Sequence, residues 1–129
     1  MRSKAAFKDL DAWQQAMHLV ERVYKATALF PREELYGLTS QMRRAAVSVP
    51  SNVAEGYCRR STKAYAYHVS VALGSHAELE TCIDLACRLG FLHAEERDAF
   101  EAITNSVGRL LSGLHRSLED KLAGAKPSA

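Results

Sequence analysis

The sequence contains few of the residues that interrupt helices or build disulfide frameworks. Its 129 residues include 7 glycines, 3 prolines and 3 cysteines. Because glycine and proline are scarce, no stretch resembles a disordered segment except the two ends, residues 1–8 and 123–129, which we expect to be flexible. An odd number of cysteines does not form a complete set of disulfides, so Cys58, Cys82 and Cys87 are expected to be small core residues in a reducing compartment.

Long apolar runs are also missing. No run reaches the length of a signal-peptide core or of a membrane span, and Asp9 and Asp11 lie where a signal core would be. We therefore expect a cytoplasmic protein that does not associate with membranes. The hydrophobic content of 47% and the charged content of 25% are typical of a soluble globular protein, and the length suits a single domain over residues 1–129.

Motifs of catalysis and cofactor binding are absent as well. The sequence has no H-E-x-x-H, no G-x-S-x-G, no phosphate-binding loop and no dinucleotide fingerprint. His76-Ala77-Glu78 has the H-x-E spacing of zinc deaminases, but the P-C-x-x-C that those enzymes need does not follow. We expect no catalytic residue, no metal site and no cofactor, and hence a protein that is not an enzyme.

The hydrophobic pattern is helical throughout. Apolar residues recur at spacings of three and four, and no stretch alternates with a period of two. The predicted helices cover residues 10–28, 35–56, 61–89 and 94–122. Asp9 and Ser61 are the predicted N-caps of the first and third helices, and Gly90 is expected to end the third. Short connections between long helices favour antiparallel neighbours, so the predicted fold is an all-α, antiparallel up-down four-helix bundle.

Three of these helices have one main apolar stripe each. On the first helix the stripe consists of Leu10, Trp13, Met17, Val20, Tyr24 and Thr27. On the third it consists of Tyr65, Val69, Ala72, Leu79, Ile83 and Ala86, interrupted at His76, with a second stripe beside it that includes His68, Ser75 and Glu78. On the fourth it consists of Phe100, Ile103, Val107, Leu110, Leu114 and Leu118. We expect these stripes to form the core.

The second helix differs because it has two apolar strips. The larger strip contains Leu38, Met42, Ala45, Ala46, Val49 and Val53. The smaller strip, roughly opposite, contains Val47, Pro50 and Ala54. A polar stripe without lysine lies between them and contains Gln41, Arg44, Ser48, Ser51, Asn52 and Glu55. A helix with apolar surfaces on two sides is expected to pack in its own bundle and against another subunit.

Pro50 lies inside this helix, where proline costs about 3 kcal/mol and frees a backbone carbonyl group. Either the helix continues through a kink, or it breaks and restarts with Asn52 as N-cap and Glu55 in a capping box. The apolar strip keeps its phase from Met42 to Val53, which favours the kinked, continuous helix.

The sequence also predicts a structural polar network between the second and third helices. Its expected members are Arg44, Ser48, Asn52, Glu55, Ser75 and Glu78. Arg44 and Glu55 lie about 16 Å apart along the helix axis, too far to pair in one straight helix. We expect Arg44 to pair with Glu78, or with an acidic residue of a neighbouring subunit, because a buried charge needs a partner.

The most specific pattern runs from Gln41 to Gly56. Its matching residues are Gln41, Arg43, Arg44, Ala45, Ser48, Val49, Pro50, Asn52, Val53, Ala54, Glu55 and Gly56, followed by Arg59-Arg60-Ser61 and later by Gly74, Ser75, Glu78 and Leu79. This pattern resembles the signature of the small four-helix-bundle proteins encoded within intervening sequences of bacterial large-subunit ribosomal RNA genes. The resemblance covers nearly the whole chain, since Phe7-Lys8-Asp9-Leu10 and Trp13 also fit.

The resemblance implies an assembly as well as a fold. It implies a homopentameric ring of bundles around a central channel, and a relationship to the accessory proteins of diversity-generating retroelements. Those proteins are similar pentamers that bind nucleic acid and a reverse transcriptase. Most members of the resembled family have no assigned biochemical activity.

Two functions remain open. Residues 1–65 hold 11 Lys and Arg against 6 Asp and Glu, whereas residues 66–129 hold 6 against 9. The basic half permits a nucleic-acid-binding ring, with Arg59, Arg60 and Lys63 as the expected phosphate contacts. The nearby rings available for base stacking are Tyr57, Tyr65 and Tyr67, which more often belong to a core. The alternative is a structural or adaptor ring whose partner is a protein, bound at the acidic start of the fourth helix (Glu95, Glu96, Asp98 and Glu101).

Overall fold

The chain is all-α, as the hydrophobic pattern predicts. The computed structural model describes residues 6–125, and this range contains no strand. Its four long helices are α1 (Asp11–Thr27), α2 (Leu38–Cys58), α3 (Thr62–Arg88) and α4 (Ala94–Ala125). Two short 3-10 helices, Ala6–Asp9 and Arg32–Glu34, precede α1 and α2. Of the ends expected to be flexible, residues 6–8 lie in the first 3-10 helix and 123–125 continue α4, while the remaining residues lie outside the described part.

Each long helix packs against two others. α1 and α3 both contact α2 and α4, and the most extensive contact joins α2 to α3. All four helices contribute to the main core, whose largest fully buried side chains are Leu19, Val23, Met42, Val49, Val53, Leu79, Val107 and Leu111. A smaller cluster contains Tyr65, Ala66, Val69 and Leu118. Within residues 6–125, no helix combines the length and the apolarity that crossing a membrane requires.

The start and the buried face of α1 differ from the prediction. Asp9 ends the first 3-10 helix, and Leu10 is the N-cap residue, without a side-chain hydrogen bond. The buried residues of α1 are Ala12, Ala16, Leu19, Val23 and Thr27. Of the predicted stripe, Thr27 is buried as expected and Leu10, Trp13 and Val20 are partly buried, whereas Met17 and Tyr24 are 36% and 44% exposed. Ala12 and Ala16 supply part of the buried face, and the bulkier residues of the predicted stripe lie at its edge or in solvent.

α2 begins later than expected and is continuous through Pro50. Residues 32–34 form a 3-10 helix, and the Glu34 carboxylate accepts a hydrogen bond at 3.1 Å from the backbone N–H of Leu38. Glu34 thus satisfies one of the free donors at the start of α2. Pro50 is buried within the helix. Asn52 donates back to the Ser48 carbonyl oxygen at 2.9 Å, so it is a helix-interior residue and not an N-cap.

The caps of α3 match the prediction. The Ser61 hydroxyl accepts a hydrogen bond at 3.0 Å from the backbone N–H of Ala64. Gly90 has a φ of +82°, and the backbone N–H of Phe91 donates to the Ala86 carbonyl oxygen at 2.8 Å. This is the pattern of a helix end closed by a left-handed glycine. Both ends of α3 are therefore set by local sequence.

Candidate nucleic-acid interface

A chain of polar contacts joins α2 to α3. The hydroxyls of Ser48 and Ser75 lie 2.8 Å apart, one on each helix. The Asn52 amide donates to the Ser48 hydroxyl at 3.1 Å as well as to its carbonyl oxygen. All three side chains are half-buried. The structure therefore brings together three of the residues expected in the polar network.

His68 continues this chain toward the end of α2. Its Nδ1–H donates to the Asn52 side-chain oxygen at 3.1 Å, and the Glu55 carboxylate lies 4.0 Å from the same nitrogen. Glu55 accepts a hydrogen bond from Arg59 at 2.7 Å. The sequence predicted no specific contact for His68, although His68 shares an α3 stripe with Ser75. This shared stripe is the sequence feature from which a contact of His68 with α2 could have been predicted.

Gly56, near the end of α2, lets α2 and α3 approach each other closely. A Cβ atom on Gly56 would lie 2.7 Å from the Cβ of His68 and 3.0 Å from a ring carbon of Tyr65. Only a residue without a side chain fits there without a shift of α3. The close contact lies three residues before Arg59, which directly follows the end of α2.

The basic residues of this turn are all exposed. Arg59 and Arg60 lie between the helices, and Lys63 lies in the first turn of α3. That first turn contains no acidic residue. The start of a helix carries a partial positive charge, and Lys63 adds to it. Glu55 pairs with Arg59. The three predicted phosphate contacts are thus exposed around the turn between α2 and α3, a region that we call the basic corner.

The predicted pairing of Arg44 with Glu78 within the chain is wrong. Both side chains are exposed, and no ion pair joins these two described residues. Glu78 instead accepts a long hydrogen bond of 3.5 Å from Gln41. Arg44 lines a groove on the side of α2 that faces α1, together with Tyr24 and Val47. Solvent stabilises both charges, so neither requires a partner within the bundle. Pairing of Arg44 with an acid of a neighbouring subunit stays a prediction.

The tyrosines near the basic turn have different environments. Tyr65 is buried, with its ring centroid 5.9 Å from that of Tyr57 in an edge-on contact. Tyr67 is exposed, and its ring meets the His68 imidazole edge-on at 5.5 Å. Of the three, Tyr67 has the largest surface available to a ligand.

His76 is packed in the contact between α3 and α4. It is buried, and its Nε2–H donates to the Thr104 carbonyl oxygen on α4 at 2.8 Å. Its Nδ1 lies 3.1 Å from the Glu80 carboxylate. Across residues 6–125, no three His, Cys, Asp or Glu residues come together in a way that would hold a metal ion. The H-x-E spacing that begins at His76 therefore has a packing explanation.

The sequence of this chain matches the model of a known family. The 23S rRNA-intervening sequence protein family matches this chain over residues 8–113. The match covers most of the sequence, so the chain is a member of that family, as the run from Gln41 to Gly56 predicted.

Comparison with solved structures agrees on the fold. A similar structure, determined at 1.70 Å resolution, is a protein with unknown function from the S23 ribosomal protein family of Bacteroides thetaiotaomicron VPI-5482. The TM-score is 0.75 at 16% sequence identity, and the alignment covers 81% of this chain and 95% of that one. At this identity the likeness establishes a shared fold alone. None of the curated proteins compared with this chain matches it.

Proposed function

We propose that the protein is a non-enzymatic, oligomeric four-helix bundle that binds RNA or other nucleic acid through a repeated basic surface. The observation that carries this proposal is the exposed corner formed by Arg59, Arg60 and Lys63, with no acid in the first turn of α3. Cations of this kind contact phosphate groups and supply affinity with little sequence specificity. The three cysteines are free thiols, which supports a cytoplasmic location.

The proposed bundle is of the antiparallel up-down type. Contacts between α2 and α3 support this topology, because Gln41 meets Glu78, Ser48 meets Ser75, and Gly56 approaches Tyr65. Residue numbers thus rise along α2 as they fall along α3. The connections of three and five residues, 59–61 and 89–93, are too short to return a helix to the opposite end.

The proposed assembly is a homopentameric ring, as the family resemblance implies. A ring requires two different faces of each protomer to meet, so every surface feature recurs once per subunit. The formal charge of +2 per chain would become +10 for five copies. Repetition of a weakly basic corner is a physical route to useful affinity, because linked sites bind with a high effective concentration.

Salt-dependent binding tests the nucleic-acid proposal. Fluorescence anisotropy with labelled RNA and DNA, at about 50 mM and about 200 mM salt, should show binding that weakens steeply with salt. The triple variant Arg59→Glu, Arg60→Glu, Lys63→Glu should lose this binding. The matched control is Arg22→Glu, Lys25→Glu, Arg32→Glu, which changes the net charge equally at exposed sites elsewhere. Equal losses in both variants would show that net charge, and not this corner, determines affinity.

A protein-binding adaptor ring is the second candidate. A groove of about 390 Å³ between α1 and α4 is lined by Leu29, Phe100, Glu95 and Glu96, and by two cations of α1. The 84% exposure of Leu29 beside acidic side chains favours a protein partner at this place. Absence of nucleic-acid binding at low salt would favour this function over the first. Sedimentation velocity tests the assembly itself, since a lone protomer at micromolar concentration would exclude either ring.

A further inference from the structure

A second candidate surface lies between α1 and α2, away from the basic corner. We name it the Arg–Tyr groove, and its main lining residues are Tyr24, Leu35, Tyr36, Arg43, Arg44 and Val47. Its volume is about 590 Å³, which is within the usual range for sites that bind small organic ligands. Among the described residues that line it there are two arginines and no aspartate or glutamate. The groove is therefore positive and partly aromatic.

One of the two guanidinium groups is held in place by the fold. The Cζ atom of Arg43 lies 4.6 Å from the centroid of the Tyr24 ring. Its Nε–H donates to the Thr27 hydroxyl at 2.9 Å, and that hydroxyl donates to the Val23 carbonyl oxygen at 2.7 Å. The Arg43 guanidinium is therefore held in position without a ligand, so binding would cost less side-chain conformational entropy.

The other main elements of the groove are open to solvent. Tyr36 is 94% exposed, so its ring contributes almost nothing to the core. Arg44 is also exposed and makes no ion pair with a described residue. One groove thus contains an exposed ring and a cation without a carboxylate partner, and these match a ligand that has both a flat face and a negative charge.

We propose that the Arg–Tyr groove binds a nucleotide, with its base stacked on Tyr36 and its phosphate on Arg44. The same chemistry is offered by one nucleotide of a single strand and by a free mononucleotide. A duplex does not offer it, because its bases are already stacked on each other. The proposal adds base recognition to the proposed nucleic-acid function, but it does not depend on Arg59, Arg60 or Lys63.

The position of the groove suits a strand that also reaches the basic corner. Arg44 lies in α2 and Arg59 is the C-cap residue of that helix, fifteen positions later, which corresponds to a rise of about 22 Å. They differ by only about 60° around the helix axis. A single strand of several nucleotides can therefore contact both, with phosphate binding at the corner and stacking in the groove.

Anisotropy measurements with a single-stranded RNA and with a duplex of equal length test the groove. Tyr36→Ala should weaken single-strand binding about tenfold and leave duplex binding unchanged, whereas Tyr36→Phe should bind like the parent because it keeps the ring. Since Tyr36 is almost fully exposed, neither change disturbs folding. Leu89→Ala, which removes another exposed side chain outside the groove, is the matched control and should have no effect. Displacement by a mononucleotide would show that free nucleotides also bind.

Photocrosslinking of an oligonucleotide with 4-thiouridine gives an independent measurement. Crosslinks should map to peptides that contain Tyr24 or Tyr36. Unchanged single-strand affinity in Tyr36→Ala would overturn the groove proposal, while a loss confined to the Arg59, Arg60 and Lys63 variant would leave the proposed function intact. No binding by the parent would overturn both. A smaller sedimentation coefficient for Tyr36→Ala would assign the groove to contact with a second copy, and would also overturn the nucleotide proposal.

Discussion

The imidazole of His76 donates a hydrogen bond of 2.8 Å to the backbone carbonyl oxygen of Thr104, across the contact between α3 and α4. His76 occupies a position that the stripe of α3 would otherwise give to an apolar residue. Gly108, on the next turn of α4, leaves room for the ring, since a Cβ atom there would lie 3.2 Å from the His76 Cε1 atom. A polar side chain and a glycine thus fit together in the core.

This fit predicts coupling between the two positions. His76→Ala should lower the free energy of unfolding by about 2 kcal/mol, through the lost hydrogen bond and the space left behind. Gly108→Ala should then gain most of the helix-propensity difference of about 1 kcal/mol in the His76→Ala background, but little or nothing in the parent. Urea denaturation of the four proteins measures the cycle. Additive effects would show that the two sites are independent.

Two glycines should respond oppositely to the same substitution. Gly56→Ala places a Cβ atom 2.7 Å from the Cβ of His68, so α2 and α3 must separate. We expect a loss of about 1–3 kcal/mol in the free energy of unfolding. Gly74→Ala meets nothing within 4 Å and lies inside α3, so it should gain about 0.5–1 kcal/mol. Thermal and urea unfolding measure both variants, and a destabilised Gly74→Ala protein would point to a contact at Gly74 that the single chain does not contain.

The hydroxyl pair of Ser48 and Ser75 should contribute a measurable coupling. Each single change to alanine leaves the other hydroxyl without its 2.8 Å partner, at a cost of about 1 kcal/mol. The double variant should be less destabilised than the sum of the two, by about 0.5–1 kcal/mol. Ser48→Ala should lower the free energy of unfolding more than Ser75→Ala does, because Asn52 also donates to the Ser48 hydroxyl. Equal costs for both single variants would argue against this second contact.

The buried thiol of Cys82 should make stability fall at alkaline pH. Burial, and to a lesser degree the Glu78 carboxylate, raises the pKa of this thiol above its ordinary value of 9.0. In the unfolded chain the thiol loses its proton first, so the unfolded state binds fewer protons and the free energy of unfolding declines as pH rises above about 9. Cys82→Ala should show a shallower decline over that range. Urea titrations at several pH values measure both slopes, and parallel slopes would exclude the thiol as a cause.

Much of the fold could be predicted because local signals agree with packing. The stripe on α3 is buried as expected, and Ser61 and Gly90 end that helix through their own side-chain and backbone chemistry. The prediction failed where neighbouring residues compete for the same face. On α4 the fully buried leucine is Leu111 and not the adjacent Leu110, which is only partly buried. The choice between adjacent positions depends on how the other helices lie, which no single helical pattern contains.

The candidate site was less accessible to prediction. Short polar side chains such as those of Ser48 and Ser75 reach only their immediate neighbours. The helix face on which each residue lies therefore nearly determines its partner. Arg44 has a long side chain at the edge of the helix, and its direction depends on the shape of the surface beside it. The Arg–Tyr groove depends on the 3-10 helix and turn before α2, which place Tyr36 in solvent. A prediction that starts α2 at residue 35 puts that ring on a helix instead.

The absence of a side chain at position 56 has a consequence for molecular recognition. Because α2 and α3 are in direct contact at Gly56, the short cationic turn that follows is held between two long helices. Under the proposed function, a polyanion would bind to a backbone whose conformation is already fixed, so binding would not have to immobilise a loop. Inserting uncharged residues into the turn between α2 and α3 should keep all of the charged residues and yet weaken the proposed nucleic-acid binding.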